Sequence, residues 1–330
     1  MRRDGDRRVV AVLGTGGTIA GSRTYEDKRL YRPATRSIDD LLRDVVGLPA
    51  QVELRSEQVL SVGSQDMDDA AWVALSGRVI EWAGLPNVAG IVIAHGTDTL
   101  EETAFFLDLV IHMDVPVILT GAMVPRDDGR EAVLNLRDAI GLALDPEARS
   151  QGVLVAMNGE IFSARTVTKS RTIGAHAFSA TEGGVLAVSR SGSTTWMRRN
   201  QVGEPRFSVP ALPLPRVDVL YAHAGMSPDL LEAAVERGAQ GIVVAGVGQG
   251  NFSTASLDVI RRLVTQVPVI RSTRVGAGSV LPGVEIDDEA LGTIAGMGLN
   301  PAKARILLKL ALADHADQPR IRALFESFRA

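Results

Sequence analysis

Four runs of the chain, Val9–Leu13, Val88–Ala94, Val115–Thr120 and Gly152–Met157, are apolar on both faces that a strand would present. A strand of that kind needs cover above and below, as in a parallel sheet between two helix layers. Helical patterns separate the runs. Leu100, Ala104, Leu107 and Ile111 recur at helical spacing, and Thr99-x-x-Glu102 just before them has the form of a capping box. Alternation of the two signals predicts an α/β fold, with His95–Asp98 as a strand-to-helix turn.

The alternation lapses from about Ser189 to Pro215, a stretch carrying Ser191-Gly192-Ser193 and then Pro205, Pro210, Pro213 and Pro215. Proline fixes φ and removes a donor, so this stretch reads as an extended connector. A second α/β pattern follows, with strands at Val217–Ala222, Gly241–Ala245 and Val267–Arg271 and helices near Pro228–Arg237 and Ser256–Thr265. Helices at Pro301–Ala313 and about Gln318–Phe328 close the chain. The expected division of the 330 residues is a domain over 1–190, a linker over 191–215 and a smaller domain over 216–330. The length itself favours roughly two domains.

Composition removes several function classes. The net charge of −4 and the scattered Lys and Arg argue against nucleic acid as a partner. No segment approaches the ~20 apolar residues of a membrane span, so no membrane partner is expected. The start, Met1-Arg2-Arg3-Asp4-Gly5-Asp6-Arg7-Arg8, is basic but runs into only a short apolar stretch, unlike a signal peptide. A cytoplasmic location is the resulting expectation. Without cysteine there are no disulfides, thiolate catalysis or Cys-ligated metals. His95, His112, His176, His223 and His315 lack metal-site spacing, so no metal or other cofactor is expected.

The chemistry-bearing residues sit just after the apolar runs, where open α/β sheets bind ligands. Gly14-Thr15-Gly16-Gly17-Thr18-Ile19-Ala20-Gly21 is rich in glycine but fits neither dinucleotide nor phosphate loops: Ile19 stands where GxGxxG needs glycine, and no Gly-Lys-Ser/Thr follows. Its glycines permit close approach and leave Thr18 exposed, although a plain turn would look the same. In His95-Gly96-Thr97-Asp98-Thr99, Thr97 lies at a helix start. Asp98 reads either as an N-cap or as a carboxylate for a substrate ammonium, and His95 as a packed, hydrogen-bonded histidine. Gly63-Ser64-Gln65-Asp66 follows a short strand pattern, Gln58–Val62, and offers a hydroxyl, an amide and backbone N–H groups to a carboxylate. Gly121-Ala122-Met123 permits close approach of a ligand or is merely a tight turn. Lys169 is by default a solvated surface charge; against Thr97 and Asp98 it would instead be a proton acceptor. Strands sharing one sheet would bring these loops to one edge around a small polar crevice.

Together these motifs resemble the bacterial-type L-asparaginase family. The likeness rests on the two threonine loops, Gly63–Met67, Gly121–Met123, Val167–Lys169 and Leu299-Asn300-Pro301-x-Lys303-Ala304-Arg305, in the family's order and approximate spacing over nearly the whole chain. It implies two α/β domains. The larger N-terminal one has a mainly parallel sheet flanked by helices, of flavodoxin-like type, and the smaller C-terminal one is also parallel. It implies Thr18 as primary nucleophile and a catalytic tyrosine on the following loop, where spacing favours Tyr31 with Tyr25 as the alternative. Thr97, Asp98 and Lys169 are similar to the family's second catalytic set. Ser64, Gln65 and Asp98 then hold the substrate's α-groups, Ala122 lines the amide end, and Asn251 and Glu285 reach the site of a neighbouring subunit. Two departures stand out: Gln249 where the family often has asparagine, in Gly248-Gln249-Gly250-Asn251, and Val124 where arginine is frequent.

The implied activity is hydrolysis of L-asparagine to L-aspartate and ammonia, by a homo-oligomer, a tetramer built as a dimer of dimers. A positioned hydroxyl attacks the carboxamide to form an acyl-enzyme, and water hydrolyses it. The base is Tyr31, or Lys169 acting through Thr97. Backbone N–H groups near Thr97 would stabilise the oxyanion. The rivals are a dual glutaminase–asparaginase, a subunit of a tRNA-dependent amidotransferase and a non-catalytic amino-acid sensor. The amidotransferase lacks support from any RNA-binding segment, and a sensor would need no activated hydroxyl.

Overall fold

The computed structural model of the protein describes residues 7–23, 31–32, 35–124, 129–180, 182–200, 203 and 207–329, with side chains at all of these except 18, 22, 23, 31 and 32. Two units divide the chain, Met1–Val202 and Gly203–Ala330.

In the first unit, β1 (Arg8–Gly16) is buried along all but its first residue. It pairs in parallel with β4 (Val52–Val62) on one side and β5 (Val88–Ala94) on the other. β6 (Val117–Thr120) and β7 (Val153–Met157) extend the parallel array beyond β5. Three antiparallel strands finish that edge: β8 (Glu160–Ser163), β11 (Ala187–Arg190) and β12 (Ser193–Trp196). The order is β12-β11-β8-β7-β6-β5-β1-β4. Its parallel part, 4-1-5-6-7, is the flavodoxin-like order, in which the chain steps to one side of β1 and then returns to the other. Two small hairpins stand apart, β2 (Ser22–Arg23) with β3 (Tyr31–Arg32), and β9 (Val167–Lys169) with β10 (Phe178–Ala180).

Helices cover both faces. Val10, Val12, Val92, Ile118 and Leu154 form one core cluster with Ile38 and Leu41 of α1 (Ile38–Leu42) and the apolar stripe of α4 (Glu131–Ala143). Their strand neighbours Ala11, Leu13, Ile91 and Ile93 are fully buried as well. α2 (Asp69–Ala83) and α3 (Leu100–Val110) pack against β4–β7 and against each other, where Trp72 stacks on Phe106 at 5.1 Å.

Three sequence expectations need correction. β4 begins at Val52, not near Gln58; Glu53, Arg55 and Glu57 hide it because an edge strand tolerates polar residues. The connector does not begin at 191. Ser191 (φ 56°) and Gly192 (φ 80°) are the two positive-φ residues of a tight hairpin between β11 and β12, which suits the twist of the paired strands. Thr99 is the N-cap of α3 without a capping side-chain bond, because its hydroxyl donates to the Ser64 carbonyl at 2.6 Å.

The second unit is a parallel sheet, β13 (Val217–Tyr221), β14 (Gly241–Gly246), β15 (Val269–Thr273) and β16 (Ile294–Ala295) in that order. The sequence signal for β15 lies two residues early, because Pro268 precedes the paired stretch. α5 (Asp229–Glu236) and α6 (Thr254–Leu263) share a core with Ile242, Val244 and Val269. α8 (Pro301–Ala313) packs on β13–β15. It starts at the Asn300 N-cap, whose side chain accepts from the Lys303 N–H, with proline in the first turn. The short α7 (Asp288–Leu291) and the terminal α9 (Gln318–Glu326) complete it.

Candidate active site

The five parallel strands end at one edge of the sheet, and four of the sequence-predicted loops follow four of them. The Thr18 turn follows β1, the Ser64 turn follows β4, the Thr97 loop follows β5 and the Ala122 turn follows β6. β1 and β5 are adjacent where the strand order reverses. The two threonine loops therefore flank the switch point at which open α/β sheets bind ligands.

Glycines allow the loops to touch. Gly17 has φ +78°, and a Cβ built on it would lie 2.1 Å from the Gly96 Cα. A Cβ on Gly96 would in turn lie 2.7 Å from the Ser64 Oγ. Polar bonds lock the contact: the Gly17 N–H donates to the Val62 carbonyl at 3.0 Å. The Asp98 N–H donates to Ser64 Oγ at 3.1 Å. Thr15, buried at the end of β1, donates its hydroxyl to the Ala94 carbonyl at 3.2 Å. His95 is fully buried, with Nδ1 2.6 Å from the Gly96 carbonyl, and burial pushes its pKa down to about 4. It is a neutral packing residue, not a base.

Lys169 enters from the β9–β10 hairpin. Its Nζ donates to Thr97 Oγ1 at 2.9 Å and to Asp98 Oδ1 at 2.5 Å. Thr97 is buried, and the lysine side chain is 16% exposed against 60% for Asp98. The surface-charge alternative for Lys169 therefore fails. As an ammonium the lysine donates to Thr97, which leaves the threonine's own proton free to point elsewhere. A neutral amine would reverse that bond.

α3 anchors this lysine twice, through residues that the sequence reading passed over. Glu101 accepts the Lys169 backbone N–H at 2.7 Å. Asp108 is 1% exposed at its side chain and takes Arg165, four residues before Lys169, at 2.8 Å. Asp108 also accepts the Val153 N–H that opens β7, at 2.9 Å. The helical spacing of Glu101 and Asp108 is visible in the sequence, but nothing there pairs Asp108 with a residue 57 positions away. Asn135 was missed as well: this buried amide donates to the Gly121 carbonyl at 2.9 Å and accepts from the Asn158 N–H at 3.0 Å. It ties the Ala122 turn to the turn after β7. Glu131 accepts the N–H groups of Met123 and Val124 at 3.0 and 3.2 Å.

Ser64 is buried, and Gln65 donates to Asp66 at 3.1 Å. Ala122 is fully buried. Thr18 opens a short 3₁₀ turn (Thr18–Ala20) and Tyr31 lies on β3, but the side chains of both, and all of Tyr25, lie outside the described residues. Asn251 and Glu285 belong to the second unit, where the Asn251 amide donates to the Glu285 carboxylate. Among the described residues no group of acidic or histidine side chains has a metal-binding arrangement, and no helix is long and apolar enough to cross a membrane.

A doubly wound domain with hydroxyl-bearing loops and a paired lysine at its switch point defines a class of α/β enzyme sites. Comparison with known proteins makes the class specific. Residues 9–202 match the family description "Asparaginase, N-terminal", and residues 216–325 match "Glutaminase/Asparaginase C-terminal domain". A probable periplasmic L-asparaginase of Haemophilus influenzae is 39% identical, over 97% of this chain and 93% of the relative. A glutaminase-asparaginase of Acinetobacter glutaminasificans is 36% identical, over 97% and 99%. The crystal structure of a probable cytoplasmic L-asparaginase from Campylobacter jejuni superposes with a TM-score of 0.89 at 36% identity, covering 97% of this chain and 99% of that one. The chain belongs to the asparaginase family.

Proposed function

We propose that the protein hydrolyses the side-chain amide of L-asparagine to L-aspartate and ammonia, with Thr18 as nucleophile. The observation that carries this reading is the bonding of Lys169 Nζ to both Thr97 and Asp98, on the loop whose Gly96 abuts Gly17. The Thr18 hydroxyl attacks the amide carbon, and Tyr31, acting as a phenolate, takes its proton. Backbone N–H groups near Thr97 stabilise the tetrahedral oxyanion. The C–N bond then breaks, and the Thr97–Lys169 pair delivers a proton to the departing nitrogen, leaving ammonia and an ester on Thr18. Water then adds to the ester carbon and gives a proton back to the Thr97–Lys169 pair, while the Thr18 oxygen leaves with the proton held by Tyr31, so aspartate is released and all three groups are restored. Ser64, Gln65 and Asp98 hold the α-carboxylate and α-ammonium, and Ala122 bounds the amide end. Asn251 and Glu285 complete the site of a neighbouring subunit within a tetramer built as a dimer of dimers. No cofactor enters the scheme.

Glutamine is a second substrate worth testing, because several relatives are glutaminase-asparaginases. One methylene separates the two amides by only ~1–3 kcal/mol in a pocket, so both can turn over at different rates. Cytoplasmic residence belongs to the same proposal; the Campylobacter jejuni neighbour is named cytoplasmic and the Haemophilus influenzae relative periplasmic, and cell fractionation decides between them.

Ammonia release from asparagine and from glutamine tests the reading. The wild type should favour asparagine in kcat/KM, and Thr18→Ala should abolish turnover of both. Unchanged activity in Thr18→Ala would remove the nucleophile. Thr97→Val should lose turnover more than aspartate binding.

A further inference from the structure

We propose that Gln249 is a positioning residue for Glu285: its side-chain amide fastens the loop that carries this carboxylate. The inference rests on the reading of Glu285 as a substrate-binding group.

Gln249 sits in a turn whose backbone has little freedom. After β14, Val247 and Asn251 close the turn with reciprocal backbone bonds of 2.9 and 2.8 Å. Gly248 and Gly250 have φ of +50° and +78°, and a Cβ on Gly250 would lie 3.0 Å from the Ser272 carbonyl oxygen. The Gln249 side chain thus leaves a fixed base. Its Nε2 donates to the Ser279 carbonyl at 3.0 Å, and its Oε1 accepts the Leu281 N–H at 3.2 Å. A carbonyl and an N–H two residues apart are what a parallel neighbouring strand would satisfy with the N–H and carbonyl of a single residue. Here a side-chain amide takes that place.

Beneath this bridge lies Arg271, 1% exposed. It donates to the Gln249 carbonyl at 2.6 Å and to the Leu281 carbonyl at 3.2 Å. Asp288 holds it at 2.7 and 2.6 Å and also accepts the Gly283 N–H at 3.3 Å. The segment from 279 to 283 is therefore tethered at both ends, two residues before Glu285. Glu285 itself is exposed, with its carboxylate against the Asn251 amide on the Gln249 turn. One turn thus carries both the group that touches Glu285 and the amide that orients its loop. An asparagine at 249 is one methylene shorter and cannot span both backbone groups from the same base.

Steady-state kinetics on wild type, Gln249→Ala, Gln249→Asn, Glu285→Ala and the Gln249→Ala/Glu285→Ala double variant test this, each in preparations matching the wild-type oligomeric mass. Gln249→Ala should raise the KM for asparagine about tenfold while kcat changes much less, the pattern of lost substrate binding. Gln249→Asn should resemble it. In the Glu285→Ala background, Gln249→Ala should add less than about twofold, because a positioning group has nothing left to position. If Glu285→Ala raises KM but Gln249→Ala does not, or if the two effects multiply, Gln249 does not act through Glu285. Wild-type kinetics in Gln249→Asn would also overturn the proposal. If Glu285→Ala itself leaves KM unchanged, the substrate-binding reading of Glu285 fails, and the inference goes with it.

Discussion

The backbones of Gly17 and Gly96 touch, with the position of a Gly17 Cβ only 2.1 Å from the Gly96 Cα. Gly17→Ala therefore forces the two threonine loops apart and also places a side chain at φ +78°. The combined cost is about 2–5 kcal/mol, with near-complete loss of asparagine hydrolysis. Gly47 isolates the two effects: its φ is +81°, but none of the described residues lies within 4 Å of a Cβ there. Gly47→Ala should cost only about 1–2 kcal/mol and spare activity. Denaturant unfolding and ammonia release measure both, and equal behaviour of the two variants would show that the loop contact is dispensable.

The Asp108–Arg165 pair is predicted to hold the Lys169 hairpin. Arg165→Met leaves a carboxylate that is 1% exposed without its cation, which costs about 3–5 kcal/mol. Adding Asp108→Asn removes the charge and keeps an oxygen for the Val153 N–H, so the double variant should regain at least half of the loss. A cost below about 1 kcal/mol for Arg165→Met in urea unfolding would contradict the anchoring role.

His95 sets a pH dependence of stability. In the unfolded chain it titrates near 6.5, whereas in the fold burial holds it at about 4. Between those values the unfolded state binds a proton that the folded state refuses. Stability is thus unaffected by this group well above pH 6.5 and falls as pH drops toward 4, by up to about 3 kcal/mol. Carboxylates such as Asp288, whose burial pushes its pKa up but which Arg271 and Thr293 together hold below the usual range, add losses at lower pH. The informative quantity is the difference between wild type and His95→Gln. The variant should show a flatter decline from pH 6.5 to 4.5, and parallel curves would exclude His95 as the cause.

The sheet was legible in the sequence wherever strands are buried on both faces, as in β1, β5, β6 and β7, because burial demands continuous apolar runs. It was not legible in β4, an edge strand with charged residues, nor in β11–β12, where Ser191-Gly192 is equally the language of linkers. The loops at this edge of the sheet could be found because glycines and hydroxyls follow strand ends. Their partners could not. Asp108 with Arg165, Asn135 with Gly121 and Asn158, and Gln249 with the 279–281 backbone are long-range pairings that no local pattern encodes. Lys169 falls between the two cases. Its motif marked it, but only the hairpin geometry removes it from the default of a solvated surface charge.

The proposed hydrolysis depends on proton transfer by Lys169, and Lys169→Met removes that amine while keeping most of the side chain's bulk. Ammonia release from asparagine is measured beside aspartate binding by calorimetry. In this variant kcat should fall about 10²–10⁴-fold, with aspartate still bound within about tenfold of the wild-type affinity. Ammonia release at the wild-type rate from the folded variant would contradict the proton-transfer role of Lys169.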